Sequence, residues 1–132
     1  MKLRVLVVDD EPDVEALFRQ QFRRELREGL CSLDFALSAE AALAKLDDAV
    51  AGEIILLVSD INMPGMSGLD LLPLVKARRP DLPVFMISAY GDGETMAQAA
   101  ARGASHFLTK PVDFPVLKRK VSAVIAEARG AA

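Results

Sequence analysis

Three short apolar runs in this 132-residue chain end on residues able to do chemistry. Leu3 to Val8 stops at Asp9-Asp10, Ile54 to Val58 is followed by Ser59-Asp60, and Phe107-Leu108-Thr109 stops at Lys110-Pro111. A fourth, Val84 to Ile87, ends on the hydroxyl of Ser88. If the runs are neighbouring strands of one sheet, three carboxylates, an amine and a hydroxyl meet at a single edge. Carboxylates that close repel unless protons or a cation join them. All-oxygen ligation with few protein ligands favours Mg²⁺, which keeps several waters and readily shares phosphate oxygens. Ser88 and Lys110 suit the remaining oxygens of a phosphoryl group, whose transfer depends mainly on positioning and charge stabilisation. The chemistry is that of an aspartate nucleophile accepting a phosphoryl group. Asp60 is the expected acceptor, Asp9 and Asp10 the expected metal ligands, and Asn62 a source of a backbone carbonyl for the metal.

The elements that must position these groups follow from periodicity. Five apolar stretches, Leu3 to Val8, Ser32 to Leu37, Ile54 to Ser59, Val84 to Ser88 and His106 to Thr109, alternate with segments of helical period. This alternation predicts βα units around a parallel sheet. The first helix is expected from Pro12 to Gly29, with Val14, Phe18, Phe22 and Leu26 on its apolar face. The second spans Ala39 to Leu46 behind a Ser38 cap, and the third spans Gly68 to Arg79 with Pro73 distorting it. The fourth spans Glu94 to Arg102, and the fifth Phe114 to Ala128, capped by Asp113 and followed by Gly130. In such doubly wound sheets ligands bind at the carboxyl ends of the strands, where these charges fall.

Hydrophobic residues at 52% and charged residues at 27% describe a globular chain of one domain. A net charge of −3 and 5% aromatic residues give no reason to expect nucleic acid or an anionic membrane as a partner. No apolar run approaches the roughly 20 residues of a spanning helix, and no signal sequence is recognisable. Cys31, the only cysteine, permits no intrachain disulfide and reads as a small buried apolar residue; the cytoplasm is the expected compartment.

Together the motifs Val7-Val8-Asp9-Asp10-Glu11, Asp60-Ile61-Asn62-Met63-Pro64-Gly65-Met66-Ser67-Gly68, Ser88-Ala89-Tyr90 and Lys110-Pro111 resemble the receiver domains of bacterial two-component response regulators. The resemblance covers nearly the whole chain. It implies a single (βα)5 flavodoxin-like domain over residues 1–132, a five-stranded parallel sheet of order 2-1-3-4-5 with helices on both faces, and no room for an output domain. It also implies a phosphorelay role: Asp60 takes its phosphoryl group from a histidine kinase or phosphotransfer protein, in self-catalysed steps. Asp10 would ligate Mg²⁺ directly, Asp9 through water and Asn62 through its carbonyl, while Lys110 contacts the phosphoryl group. Ser88 and Phe107 would form a switch acting on the surface of the fourth helix, fifth strand and fifth helix, read by a downstream protein. Tyr is frequent in the family where Phe107 stands, and Asp where Ser67 stands. Tyr90 and Asn62, two residues beyond Ser88 and Asp60, would tune dephosphorylation.

Each residue alone has a plainer reading. Asp9-Asp10 could cap a helix, Asp60 could serve a turn, Lys110 could be solvated, and Ser88 and Phe107 could be strand-end and core residues. The joint placement at one sheet edge favours function. His106 begins a short strand and reads as structural. Arg19, Arg23 and Arg27 form a solvated stripe with Glu15 a turn before, and Lys118-Arg119-Lys120 spreads, solvated, around the last helix. The rival readings are an Mg²⁺-dependent phosphohydrolase with an aspartyl-phosphate intermediate and a flavodoxin-like cofactor binder. The first lacks a capping insertion and carries Asn62 where a second acid would serve. The second would need its phosphate beside Asp9-Asp10-Glu11.

Overall fold

A computed structural model describes residues 2–130. Five parallel strands, β1 (Arg4–Val8), β2 (Ser32–Ala36), β3 (Ile54–Asp60), β4 (Val84–Ser88) and β5 (His106–Thr109), form one sheet in the order β2-β1-β3-β4-β5. The expected topology is therefore present. β3 lies at its centre, and all seven of its residues are buried, as a strand covered on both faces requires.

Side-chain alternation divides the interior into two layers. Leu6 and Val8 of β1 with Val84 and Met86 of β4 join the helices α3 (Ala39–Asp48), α4 (Gly68–Arg78) and α5 (Gly93–Ala101) through Ala42, Leu72 and Ala99. Val5 and Val7 with Phe85 and Ile87 face the opposite way. They meet α1 (Asp13–Gln21), α2 (Arg23–Arg27) and α6 (Phe114–Gly130) through Phe18, Phe22, Leu117 and Val121. Each buried Val, Leu, Ile, Phe or Met side chain among these stabilises the fold by about 1.5–3 kcal/mol relative to exposure.

The expected single first helix is two. Phe22 leaves helical geometry (φ −101°, ψ 15°), and its buried ring stacks on Phe18 at 5.9 Å between centroids. The hydrophobic period runs through the break unchanged, so pattern alone does not reveal it. The expected Arg19, Arg23 and Arg27 stripe is accordingly divided between α1 and α2; Arg19 pairs with Glu15 at 3.1 Å. Lys118 is not simply solvated. Its ammonium pairs with the half-buried Glu25 of α2 at 3.2 Å, tying α2 to α6. α6 also continues through Gly130, beyond the expected stop.

Capping follows local chemistry. Ser38 accepts from the Ala41 amide and Asp113 from the Val116 amide, as expected, while Asp92 caps α5 by accepting from Thr95. Pro73 stands inside α4 and cannot donate to the Leu69 carbonyl. That carbonyl accepts from Arg102 Nη1 at 2.8 Å instead, so the helix retains a partner for the orphaned oxygen. Among the described residues no helix is long and apolar enough to cross a membrane.

Candidate functional site

The register of the sheet assembles the site. Val8 stands beside Ser59, Asp60 beside Ile87 and Ser88 beside Thr109, so the residues leaving β1, β3, β4 and β5 emerge at one edge. The Asp9 amide donates to Ala36 O, the Ile61 amide to Ile87 O and the Lys110 amide to Ser88 O, fixing each exit by a sheet-like bond. The Lys110-Pro111 peptide is cis. The loop after β3 folds back tightly: the Gly68 amide donates to Ile61 O at 2.9 Å, and a Cβ at Gly68 would collide with the Asp60 carbonyl oxygen. Only glycine permits this approach. Gly65, at φ 73°, supplies the left-handed residue of the same loop.

Asp9, Asp10 and Asp60 each present a carboxylate oxygen, and these atoms all lie within 4.8 Å of one another. Two carboxylates at that separation repel by on the order of 3 kcal/mol at an effective dielectric constant of 20. Lys110 Nζ lies 3.4 Å from Asp60 Oδ1 and 3.9 Å from Asp9 Oδ2. One ammonium therefore faces two of three acids. Asp60 Oδ1 is buried and accepts no hydrogen bond, and Asp60 as a whole is 5% exposed. Burial pushes the Asp60 carboxyl above its ordinary pKa despite Lys110. Burial does the same to Asp9, against the Glu11 amide that donates to its Oδ1 at 2.9 Å. Burial alone would lower the Lys110 ammonium, but Asp60 and Asp9 outweigh it and hold it above its usual value.

These are the features of a site short of positive charge. A buried oxygen without a hydrogen-bond donor, inside a triangle of carboxylates, suits a hard divalent cation, and the donor set fits Mg²⁺. Asp10 is the most accessible of the three acids, being half-buried, whereas Asp9 and Asp60 are buried.

Ser88 is fully buried beside the acids. Its hydroxyl donates to Asn62 Oδ1 at 3.0 Å and accepts from the Tyr90 amide at 3.0 Å. Tyr90 itself is 62% exposed, and its side chain stands out from the loop after β4. Phe107 is half-buried and packs against the α3–α4–α5 layer. His106 is exposed, its ring edge-on to Phe85 at 5.0 Å, in keeping with a structural role. Cys31 is buried as expected.

Sequence reasoning missed four supports of this site. The Asp9–Glu11 turn bond has a readable signal, since Asp commonly accepts from the amide two residues on. The close approach at Gly68 and the Ser59 hydroxyl, which donates to the Asp60 carbonyl at 2.9 Å, arise from contacts within the folded loop and strand end. Ser67, standing where the family often has Asp, caps α4 by accepting from the Asp70 amide at 3.2 Å.

The site is thus an acid triad, an amine and a hydroxyl at the carboxyl edge of a doubly wound α/β sheet, where such sheets bind their ligands. The family model of the response regulator receiver domain matches residues 5–122, and the chain belongs to that family. It is a receiver domain of two-component response regulators, a signalling domain. The chain is 37% identical to the response regulator protein PilR of Pseudomonas aeruginosa over 123 residues, covering 92% of this chain and 26% of PilR. It is 33% identical to the chemotaxis protein CheY of the same organism, covering 97% of this chain and 100% of CheY. It therefore spans about a quarter of one relative and the whole of the other. Among solved structures, the response regulator protein TrrA of Thermotoga maritima in complex with Mg(2+)-BeF superposes with a TM-score of 0.75 at 32% identity, over 94% of this chain and 99% of that one.

Proposed function

We propose that this domain accepts a phosphoryl group on Asp60 from a phosphohistidine of a kinase or phosphotransfer protein, and that the adduct alters its affinity for a downstream protein. The observation that carries this reading is the buried, hydrogen-bond-free Asp60 Oδ1 with Lys110 Nζ 3.4 Å away. In the transfer, an Asp60 carboxylate oxygen bonds to phosphorus as the donor's P–N bond breaks and the imidazole leaves with the electron pair. Lys110 stays in reach to neutralise phosphoryl oxygens, and Ser88 offers a hydroxyl from the other side. Asp10, Asp60 and the Asn62 carbonyl would hold Mg²⁺, with Asp9 acting through water; the ion would offset the carboxylate repulsion and the charge of the incoming group.

In this reading the chemistry is self-catalysed, the chain acts as one domain over residues 1–132, and it works in the cytoplasm. Ser88 and Phe107 couple the adduct to the surface of α5, β5 and α6. Phe107 has no hydroxyl to bond in either state, so its contribution is packing alone. The exposed Tyr90 ring partly shields the adduct from water. Tyr90→Ala is expected to shorten the acyl-phosphate half-life, and an unchanged half-life would remove Tyr90 from the mechanism.

Incubation with a small-molecule phosphodonor and Mg²⁺, followed by intact mass and site mapping, tests the proposal. The adduct should map to Asp60, require the metal and vanish in Asp60→Asn. A metal-independent adduct, or one on Ser88 or His106, would overturn it.

A further inference from the structure

Ser88 has one hydrogen to give, and in this structure Asn62 holds it. The hydroxyl donates to Asn62 Oδ1 at 3.0 Å while one of its lone pairs accepts the Tyr90 amide, also at 3.0 Å. A serine hydroxyl carries a single donor. It cannot bond Asn62 and a phosphoryl oxygen on Asp60 with the same proton. The two acceptors must compete.

From this we infer that the Asn62 side chain is a latch on Ser88: it keeps the hydroxyl committed to the loop after β3 until a phosphoryl group on Asp60 outbids it. The inference rests on the reading of Asp60 as acceptor and assigns Asn62 a side-chain role separate from its main-chain carbonyl. The arrangement has the features a latch needs. Ser88 is fully buried, so water cannot substitute freely as acceptor, whereas Asn62 is exposed and can swing away without opening the core. The Tyr90 amide fixes the oxygen while the hydroxyl proton remains free to rotate between acceptors. Asp60 ends β3 and Asn62 follows two residues later, so loading Asp60 and releasing Ser88 concern neighbouring backbone. The phosphoryl oxygen has an advantage in the competition, because a charged acceptor binds a donor about twice as strongly as a neutral amide.

Asn62 is therefore a positioning residue acting through Ser88, and the latch opposes loading. Removing the acceptor while retaining bulk, as in Asn62→Leu, should favour the loaded state by about the net worth of one hydrogen bond, a factor of roughly two to ten. The probe is beryllofluoride with Mg²⁺, titrated by ¹⁹F NMR into wild type, Asn62→Leu, Ser88→Ala and the double variant. Asn62→Leu should bind two- to tenfold more tightly than wild type, and the gain should disappear in the Ser88→Ala background. In the metal-free protein the same substitution should speed hydrogen exchange of the Tyr90 amide, because the oxygen it bonds is no longer held; an unchanged rate counts against the latch. Weaker or equal binding by Asn62→Leu, or a gain that persists without the Ser88 hydroxyl, overturns the inference. Wild type that binds no beryllofluoride, or binds it equally after Asp60→Asn, refutes the underlying assignment of Asp60 instead.

Discussion

At its N-terminal end β1 begins with Arg4, whose guanidinium pairs with Asp34 and, at 3.2 Å, with Glu53, while Lys45 reaches Asp34 at 3.1 Å. At its C-terminal end the same strand runs into Asp9 and Asp10; Asp9 shares Lys110 with Asp60, and Asp10 joins them in one carboxylate cluster. Two cations face two acids below; above, the ammonium of Lys110 faces two acids of a cluster of three. The carboxyl groups respond in opposite directions. Burial would raise Asp34, but Arg4 and Lys45 overcome it and hold the group below its ordinary pKa. At the upper edge burial wins, and Asp9 and Asp60 are held above theirs. A balanced cluster stabilises the fold and has no use for a ligand. The unbalanced one costs stability and would be completed by a cation, which is how a site built to take a ligand differs from a structural one made of the same residue types.

The largest effect should come from completing the upper cluster. Mg²⁺ at about 100 times its Kd stabilises a folded domain by about 2.7 kcal/mol, a rise of roughly 10 °C in Tm for a domain of this size. Asp10→Asn should abolish that rise in a thermal melt, and Asp34→Asn should leave it intact. Equal loss in both would erase the contrast between the two ends.

A smaller effect is expected from unbalancing the lower cluster. Arg4→Met leaves Asp34 and Glu53, each mostly buried, without their shared cation, and should cost about 2 kcal/mol in urea unfolding. Adduct formation on Asp60 should be unaffected, because nothing in that network reaches the upper edge.

The smallest effect separates the ends by sign. Asp34 has a lowered folded pKa, so its stabilisation is complete above the ordinary Asp value of 3.8 and is lost as pH falls through the folded value. Asp9 and Asp60 have raised folded pKa values, so the folded protein binds their protons more tightly than the unfolded chain. Their contribution is most favourable below 3.8 and declines as pH rises through the raised values. With a chelator present, Asp60→Asn should flatten the decline on the alkaline side of 3.8, and Asp34→Asn the decline on the acid side. Urea titrations across pH would measure both slopes.

Much of this contrast is legible in the order of the residues. Asp9, Asp10, Asp60 and Lys110 stand out because each follows a short apolar run, and strands of a parallel sheet deliver their ends to one edge. The cap at Ser38 is legible because N-caps are local. The break at Phe22 is not, since the hydrophobic period continues through it while the backbone leaves helical geometry. Arg102 serving the Leu69 carbonyl is equally hidden, because a bond across 33 residues has no local signal.

Residue type and spacing alone thus settle which groups meet, because period and turn chemistry dictate strands, helices and the edge at which they exit. How those groups are partnered emerges only when the chain is folded. Which acid is neutralised, and which acceptor holds the Ser88 proton, depends on distances of a few tenths of an ångström between side chains from different loops. Burial then converts the pairing into charge state, and no period in the sequence records it.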